Sequence, residues 1–264
     1  MFVHQIHNSI GNIYNAFAYK NFNWLPHLHK GYEVVFILDG EVNCTIENKT
    51  STLKKGDSIL VTPYTLHSYS TVEKSLAVVV VFSGGYVEAF EKMLANKDPD
   101  GYNIPFSNHA WNSVLSSLTG GAKFEQDVTQ LAKPDTLTLK ACLYAITSEF
   151  IKAHALTPKK NDNSLIFEIL NYIENNFTQD VSLHSLSTAI GYDYEYISRI
   201  FNKTFGINFN TLINQYRCDL AENLIRTTGQ SLSDVAMNSG FQSIRTFNRV
   251  FKNLTGKRPS QVQD

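Results

Sequence analysis

Short apolar runs alternate with turn residues along the first eighty positions of the chain. The runs are rich in β-branched and aromatic residues, a composition typical of strands, and they span residues 33–38, 41–46, 58–62 and 75–82. Pairs such as Asp39-Gly40 and Gly56-Asp57 lie between them and are typical of turns. Short strands at this spacing predict a small antiparallel β-barrel or sandwich in the N-terminal half.

After residue 83 the apolar positions are spaced three and four residues apart, which indicates helices. Residues 86–94 have this spacing, and residues 136–153 predict a clear helix. The apolar face of that helix consists of Leu139, Leu143, Ile146, Phe150 and Ile151. It either packs on the barrel or forms a dimer with a second copy of the chain, and the sequence does not decide between these roles. Residues 97–135 contain several Pro and Gly and give no clear assignment.

The chain from residue 164 onward has only helical patterns. Residues 155–163 are polar, contain Pro, and form the best candidate for a linker. We therefore predict an α+β fold: a β-barrel domain with flanking helices over residues 1–155, a linker over 156–163, and an all-α domain over 164–264. Residues 210–227 predict a long amphipathic helix, which is a stiff spacer with a rise of about 1.5 Å per residue.

Residues 182–206 recur as residues 231–256. Both copies contain Ser-Leu, then Gly before an aromatic residue, then Arg before an apolar residue and Phe, and finally Gly. The offset is 49 residues up to the first Gly and 50 after it, so one copy carries a single inserted residue. A repeat at fixed spacing indicates a duplicated supersecondary unit. We predict helix-turn-helix units over about residues 182–204 and 231–254, joined by the long helix and able to enter two successive DNA major grooves.

Composition excludes several classes of protein. The 264 residues are 43% hydrophobic and 18% charged, which is typical of a globular chain. No apolar run approaches the roughly 18 residues of a membrane span, and the first residues lack a secretory signal pattern. Cys44, Cys142 and Cys218 lie far apart without metal-ligand spacing, which suits a reducing compartment. We expect a cytoplasmic protein with no membrane contact.

Charge is informative in its distribution rather than in its sum. The net charge is −1, and residues 164–264 contain nine Lys/Arg and nine Asp/Glu. Residues 245–258, however, contain five cations and no anion. Because clustered Lys and Arg bind the phosphates of nucleic acid, this run favours DNA contact by the second unit.

The outer faces of the two second helices carry side chains suited to DNA. They are Glu195, Ser198, Arg199 and Asn202 in the first unit, and Arg245, Asn248, Arg249 and Lys252 in the second. Arg forms paired hydrogen bonds with guanine and Asn with adenine, while Lys binds phosphate. Arg199 and Arg249 occupy matching positions, which favours a shared role.

Residues 240–260 resemble the signature of AraC/XylS-type transcription regulators, and the resemblance extends over about residues 165–262. The signature places Gly-Phe before Phe-x-Arg-x-Phe-Lys and Gly-x-x-Pro-Ser, as in Gly240-Phe241, Phe247 to Lys252 and Gly256 to Ser260. It implies a seven-helix DNA-binding domain in which Ile244 joins the contact residues named above. Asp193 and Glu195 depart from the basic character expected at the start of a recognition helix.

A second set of polar residues lies in the N-terminal half. His27 and His29 share a face if their segment is a strand, and Glu33 has the same parity. Together with His67 they resemble the two motifs of cupin barrels, whose metal-dependent enzymes use two His, a Glu and a third His. In sensor cupins joined to AraC-type domains, similar residues satisfy one another or contact a ligand.

We therefore predict a small-molecule site in the mouth of the barrel, with no metal and no cofactor. Its predicted residues are Trp24, His27, His29, Glu33, His67 and Tyr69. Tyr32, Phe36 and Tyr64 either line the same pocket or belong to the core.

The sequence as a whole predicts a transcription regulator without catalytic residues, most simply an activator. Its expected partners are promoter DNA, a small-molecule effector such as a sugar or metabolite, RNA polymerase, and a second copy of the chain in a homodimer. Two alternatives stay open at this stage. One is a metal-dependent cupin enzyme with a helical targeting domain, and the other is a constitutive regulator without a ligand.

Overall fold

The computed structural model describes residues 3–4, 13–47, 49–158 and 164–262 of the chain. The chain forms two compact units, one of residues 2–160 and one of residues 161–264. The described part of the first unit is rich in strands, and that of the second is helical. This arrangement confirms the predicted α+β fold class.

One large sheet organises the N-terminal unit. The strands of this unit are β1 Val3–His4, β2 Tyr14–Lys20, β3 Trp24–Leu28, β4 Tyr32–Ile46, β5 Lys49–Lys54, β6 Ser58–Val61, β7 His67–Phe82, β8 Lys97–Pro99, β9 Val128–Gln130 and β10 Leu156–Pro158. Strand β7 pairs antiparallel with β2, β3 and β4, and β4 also pairs with β5 and β6. Over the described residues these ladders do not close into a ring.

Strand β4 is continuous through Asp39-Gly40, where the sequence predicts a turn. Its pairing with β7 continues across this point, with Asp39 opposite Leu76 and Gly40 opposite Ser75, although the register shifts on both sides. Gly40 has φ +71°, and a Cβ atom there would overlap the carbonyl oxygen of Lys74. Glycine therefore permits a bulge that bends a continuous strand rather than reversing it.

Alternate residues of β4 and β7 enter two different cores. Val35 and Ile37 of β4 pack with Val79 and Val81 of β7 on one face of the sheet. Their even-numbered neighbours, such as Val34, pack on the other face against three helices. Because side chains alternate along a strand, residues of one parity share one environment. The same alternation determines which polar side chains lie on the same face of the sheet.

In the described residues of the N-terminal unit the α-helices are α1 Glu88–Leu94, α2 Asn108–Thr119 and α3 Thr136–Ala153. Helix α3 confirms the helix predicted at these residues, and the Asp135 side chain caps it by accepting hydrogen bonds from the N–H groups of Leu137 and Thr138. Its buried residues belong to the core beneath the sheet, whereas Leu137 and Tyr144 on the opposite side are exposed.

Part of the predicted linker is a strand. Leu156–Pro158 forms β10, which pairs antiparallel with β8, so residues 156–158 belong to the N-terminal unit. The polar composition and Pro158 suggested a linker, but Pro is tolerated at the end of a short edge strand. Residues 159–163 of the predicted linker lie outside the described residues.

The C-terminal unit is helical, as predicted, and where the resemblance implies seven helices its described residues form six α-helices. They are α4 Ser164–Asn176, α5 Leu183–Ile190, α6 Tyr194–Phe205, α7 Phe209–Thr227, α8 Leu232–Asn238 and α9 Ile244–Thr255, followed by one 3₁₀ turn at Pro259–Gln261. Helices α6 and α9 both contain 12 residues and both end at a left-handed glycine, Gly206 or Gly256. The repeat in the sequence is thus a repeat of α5–α6 as α8–α9.

Candidate functional site

The second repeat presents α9 as an exposed helix on a small apolar core. Phe247, Val250 and Phe251 of α9 are buried against Phe241, residues of α8 and Ala221 of α7. This packing leaves every residue predicted to contact DNA in this unit exposed: Ile244, Arg245, Asn248, Arg249 and Lys252. Ser243 caps the helix by accepting from the N–H of Thr246 at 3.2 Å.

The first repeat presents α6 in the same way. Ile197, Phe201 and Phe205 are buried. Of the residues predicted to contact DNA, Glu195, Arg199 and Asn202 are exposed and Ser198 is half-buried. Asp193 has a local structural role, because its carboxylate accepts from the N–H groups of Glu195 and Tyr196 at 2.9 and 3.1 Å. This acidic residue is therefore a helix cap.

Helix α7 connects the two repeats and packs in both. Near its start, Phe209 meets Phe201 of α6 with ring centroids 5.5 Å apart. Its second half contributes Ala221 and Ile225 to the core of the second repeat. The helix has 19 residues, which gives a length of about 28 Å. That length is close to the roughly 34 Å between successive major grooves on one side of DNA.

Arg217 fixes α7 to the end of α4. Its Nε donates to the carbonyl oxygen of Phe177 at 2.7 Å, and its Nη2 donates to that of Gln179 at 2.8 Å. These carbonyls lie at and just beyond the helix end, where backbone acceptors lack a helical partner. A charged donor there holds α7 against the segment that follows α4.

The two exposed helices differ in charge. Around α6 the anions Asp193 and Glu195 offset the cations Arg199 and Lys203. Along α9 and just after it there are five exposed cations and no anion, namely Arg245, Arg249, Lys252, Lys257 and Arg258. Within the described residues none of the five forms an ion pair. Phosphate attraction therefore falls mainly on the second unit.

Three exposed tyrosines at the start of α6 were missed by the sequence analysis. Tyr192 and Tyr196 stack with ring centroids 5.9 Å apart, and Tyr194 is also exposed. The guanidinium carbon of Arg199 lies 5.9 Å from the ring centroid of Tyr196. The sequence signal for these residues is the pattern Tyr-x-Tyr-x-Tyr. Their side chains add planar surface and hydrogen-bonding groups to a helix that lacks net positive charge.

A half-buried carboxyl in α7 makes the C-terminal unit sensitive to pH. Burial, with a smaller effect of Glu222, raises the pKa of Asp219 to about 7. The folded unit therefore binds this proton more tightly than the unfolded chain, and stability is lost as pH rises from about 4 to about 7. Asp219→Asn should raise the unfolding free energy by about 1–2 kcal/mol at pH 8 and leave it unchanged near pH 4, as measured by urea denaturation. An equal gain at both pH values would contradict the raised pKa.

The N-terminal unit brings four predicted residues into one buried cluster. His27 lies in β3, His29 follows that strand, Glu33 lies in β4, and His67 begins β7. Each is at most 3% exposed. One ligand atom from each of the four lies within 4.8 Å of the others. Strand pairing explains part of this, since His27 is directly opposite His67. We call this group the histidine cluster.

Tyr69 and His29 form hydrogen bonds with the Glu33 carboxylate, whereas Nε2 of His67 forms none within the described residues. The Tyr69 hydroxyl donates to Oε1 of Glu33 at 2.7 Å. Nε2 of His29 lies 3.2 Å from Oε2 of Glu33, and Nε2 of His67 lies 3.3 Å from Oε1. Burial raises the pKa of Glu33, but His67 and His29 lower it by more, so the net pKa lies well below the usual range of a carboxyl. Glu33 is thus a buried carboxylate.

Aromatic rings lie next to the histidine cluster. Trp24 is 39% exposed, and its ring centroid lies 6.1 Å from that of His27. Phe22, which the sequence analysis missed, packs 4.5 Å from Tyr69. Tyr32 and Phe36 instead belong to the core on the helix-covered face, because their parity along β4 is opposite to that of Glu33.

These observations define a two-domain protein of the helix-turn-helix type with a strand-rich partner domain. Residues 186–264 match the helix-turn-helix domain family, and residues 23–83 match the cupin domain family. The matches confirm the predicted resemblance to AraC/XylS-type regulators that carry an N-terminal cupin-like domain. No helix of the described residues is long and apolar enough to cross a membrane.

Curated relatives are similar to this chain at low identity. An uncharacterized HTH-type transcriptional regulator of Staphylococcus aureus is 22% identical over 242 residues, which are 88% of this chain but 31% of the relative. This chain therefore spans about a third of the length of those staphylococcal proteins. The Msm operon regulatory protein of Streptococcus mutans is 22% identical over 280 residues, covering 97% of this chain and 98% of the relative.

Solved structures share the fold. ToxT of Vibrio cholerae with a bound unsaturated fatty acid superposes with a TM-score of 0.51 at 16% identity, covering 96% of each chain. ToxT bound to a naphthalenyl butenoic acid gives a TM-score of 0.51 at 14% identity, covering 95% of this chain and 98% of the other. At these identities the likeness is one of fold.

Proposed function

We propose that this protein is a sequence-specific DNA-binding transcription regulator. The observation that carries the proposal is the pair of equivalent exposed helices, α6 and α9, joined by α7. Each helix has a side chain that caps its N-terminus, and each buries one apolar face. The polar face of each helix is exposed. Bases would be contacted by Arg199, Arg245, Arg249 and their exposed neighbours, and phosphates by Lys252 among others.

We further propose that the cupin-like domain senses a small molecule. A buried polar cluster beside aromatic rings suits a compact ligand with polar groups, such as a sugar or metabolite. ToxT has been solved with an unsaturated fatty acid and with a naphthalenyl butenoic acid bound, so this fold accommodates small molecules in that protein. The proposed ligand-contacting residues here are Trp24, His27, His29, Glu33, His67 and Tyr69.

The finer parts of the proposal concern partners. We propose that the protein is a cytoplasmic transcription activator that contacts RNA polymerase. We also propose that it forms a homodimer through the outer face of α3. Leu137, 81% exposed, and Tyr144 lie on that face, and they support the dimer. The helix-turn-helix match favours this role over the alternative of a metal-dependent enzyme with a targeting domain, and we propose no catalytic activity.

Selection of binding sites from a random duplex DNA pool tests this proposal. The full-length chain should enrich a defined sequence, and its affinity for that site should fall at least about 100-fold between 50 and 200 mM salt, because several cations bind phosphates. The Arg245→Ala, Arg249→Ala double variant is the control and should lose enrichment while keeping its helical circular dichroism. A wild-type chain that enriches no sequence would contradict the proposal.

A further inference from the structure

The tyrosines of the described C-terminal unit fall into two groups by the state of their hydroxyls. The hydroxyls of Tyr172 and Tyr216 are hydrogen-bonded to a serine and a glutamate inside the unit. Tyr192, Tyr194 and Tyr196 are 41%, 46% and 39% exposed, and within the described part of the chain their hydroxyls have no hydrogen-bond partner. These three hydroxyls are therefore available to an external partner.

Two of the three lie beside the stripe of α6 that is predicted to contact bases. The stripe consists of Glu195, Ser198, Arg199 and Asn202. Successive residues of a helix are about 100° apart, so Tyr194 and Tyr196 lie about 200° apart, on opposite sides of Glu195. A helix whose stripe enters the major groove turns the residues beside it towards the two sugar-phosphate walls of that groove. Both tyrosines therefore have a position suited to contact with the DNA backbone.

Each of these two rings is held by a neighbouring ring. The ring of Tyr196 stacks on that of Tyr192, with centroids 5.9 Å apart and planes inclined by 23°. The ring of Tyr194 lies beside that of His184 in α5, with centroids 6.0 Å apart. A side chain that is already held in place loses less conformational freedom when it binds. The two hydroxyls are thus presented on pre-ordered rings.

The second repeat shows what the tyrosines replace. When the cap residues Asp193 and Ser243 are aligned, Glu195 of α6 occupies the position of Arg245 in α9. The first unit thus has an anion where the second has a cation. The Asp193 carboxylate also occupies two of the N–H groups at the start of α6. The charges of this first turn repel phosphate, whereas the tyrosine hydroxyls are neutral groups that can donate to it.

We propose that Tyr194 and Tyr196 bind the DNA backbone on the two sides of the groove that α6 enters, by donating hydrogen bonds to phosphate oxygens. Tyrosine is among the side chains that contact phosphates in protein–DNA complexes. Binding of Lys and Arg releases counterions from DNA, but a neutral donor replaces no counterion and adds nothing to the salt dependence. The two units thus hold DNA by different means, α9 mainly by charge and α6 by tyrosine hydroxyls. This inference rests on the proposed DNA-binding function and adds two contact residues to it.

The test is the double variant Tyr194→Phe, Tyr196→Phe in the full-length chain, which keeps both rings and removes only their hydroxyls. Fluorescence anisotropy measures its affinity for the selected duplex at several salt concentrations. The affinity should fall by at least about 10-fold at each concentration, because hydrogen bonds to charged groups are lost. The slope of log affinity against log salt should stay that of the wild type. Affinity for a random duplex should fall by a similar factor, because phosphate contacts weaken binding uniformly across sequences.

Two further variants are the controls. The double variant Lys252→Ala, Lys257→Ala removes two exposed cations in and just after α9, and it should reduce the magnitude of the salt slope by about 2. Tyr172→Phe removes a hydroxyl that is bonded to Ser185 inside the same unit, so it should leave both the affinity and the slope unchanged. Circular dichroism confirms the fold of each variant, and the two single tyrosine variants replace the double variant if it unfolds.

Three results would overturn the inference. They are a tyrosine variant that binds the selected duplex as tightly as the wild type, a salt slope that falls as it does in the lysine variant, and a loss confined to the selected sequence. The last result would assign the hydroxyls to bases rather than to phosphates. A wild type that binds no duplex would refute the proposed function itself, so the two failures are distinguishable.

Discussion

Replacing Gly240 by alanine is expected to destabilise the second helix-turn-helix unit by about 2–5 kcal/mol in total. Gly240 has φ +92°, which costs a residue with a Cβ atom about 1–2 kcal/mol. The added Cβ would also lie 2.6 Å from Cα of Thr178, a backbone atom that cannot move alone, and overpacking of this kind adds about 1–3 kcal/mol. Hydrogen exchange of α8 and α9 in the full-length chain would measure the loss.

Gly191→Ala is the control for this prediction, because Gly191 occupies the equivalent position of the first repeat. It has φ +74°, yet no atom lies within 4 Å of its built Cβ position. Only the conformational cost of about 1–2 kcal/mol applies there. Similar destabilisation of both units by the two variants would show that the close approach to Thr178 is not what requires glycine at residue 240.

The second large effect concerns DNA affinity. Arg249→Ala should weaken binding to a selected DNA site by about 1–3 kcal/mol, or roughly 5–150-fold, if its guanidinium contacts a base. Arg249 is exposed on α9, and the other cations of this helix lie at different positions along it. Arg199→Ala should cost less than Arg249→Ala, because α6 has no net positive charge to hold it on the phosphates. Fluorescence anisotropy with the selected duplex measures both.

Arg226→Ala tests whether charge alone explains such a loss. Arg226 is an exposed arginine of the same unit, but its Nη2 is paired with Glu222 at 2.7 Å. Its removal changes the net charge by the same amount as Arg249→Ala and should leave affinity within about twofold, since an exposed pair of this type contributes little. Equal losses for the two variants, with unchanged base preference, would refute base contact by Arg249.

The helical unit was predictable because its signals are local. The Ser and Asp caps, the glycines that end helices, and apolar residues three and four apart all act within one or two turns of chain. The repeat then supplied a second, independent copy of each signal. Ser182 and Ser231 cap α5 and α8, and Gly206 and Gly256 end α6 and α9.

The strand-rich unit was less predictable because distant pairing decides it. The Asp39-Gly40 pair is a turn signal in isolation, yet pairing with β7 keeps β4 continuous through a bulge. Leu156–Pro158 has linker composition, yet it finds a partner strand at residues 97–99. His29 lies between β3 and β4 and has the same parity as Glu33, and the structure places Nε2 of His29 3.2 Å from Oε2 of Glu33. Only the three-dimensional structure places Nε2 of His67 against them without a hydrogen-bond partner.

Hydroxyl-radical and methylation footprinting on a selected duplex tests the central claim most directly. We expect one protomer to protect two major-groove segments about ten base pairs apart on the same side of the duplex, with the stronger protection under α9. Protection of a single segment, or of two segments on opposite sides of the duplex, would contradict two recognition helices held at a fixed spacing by α7.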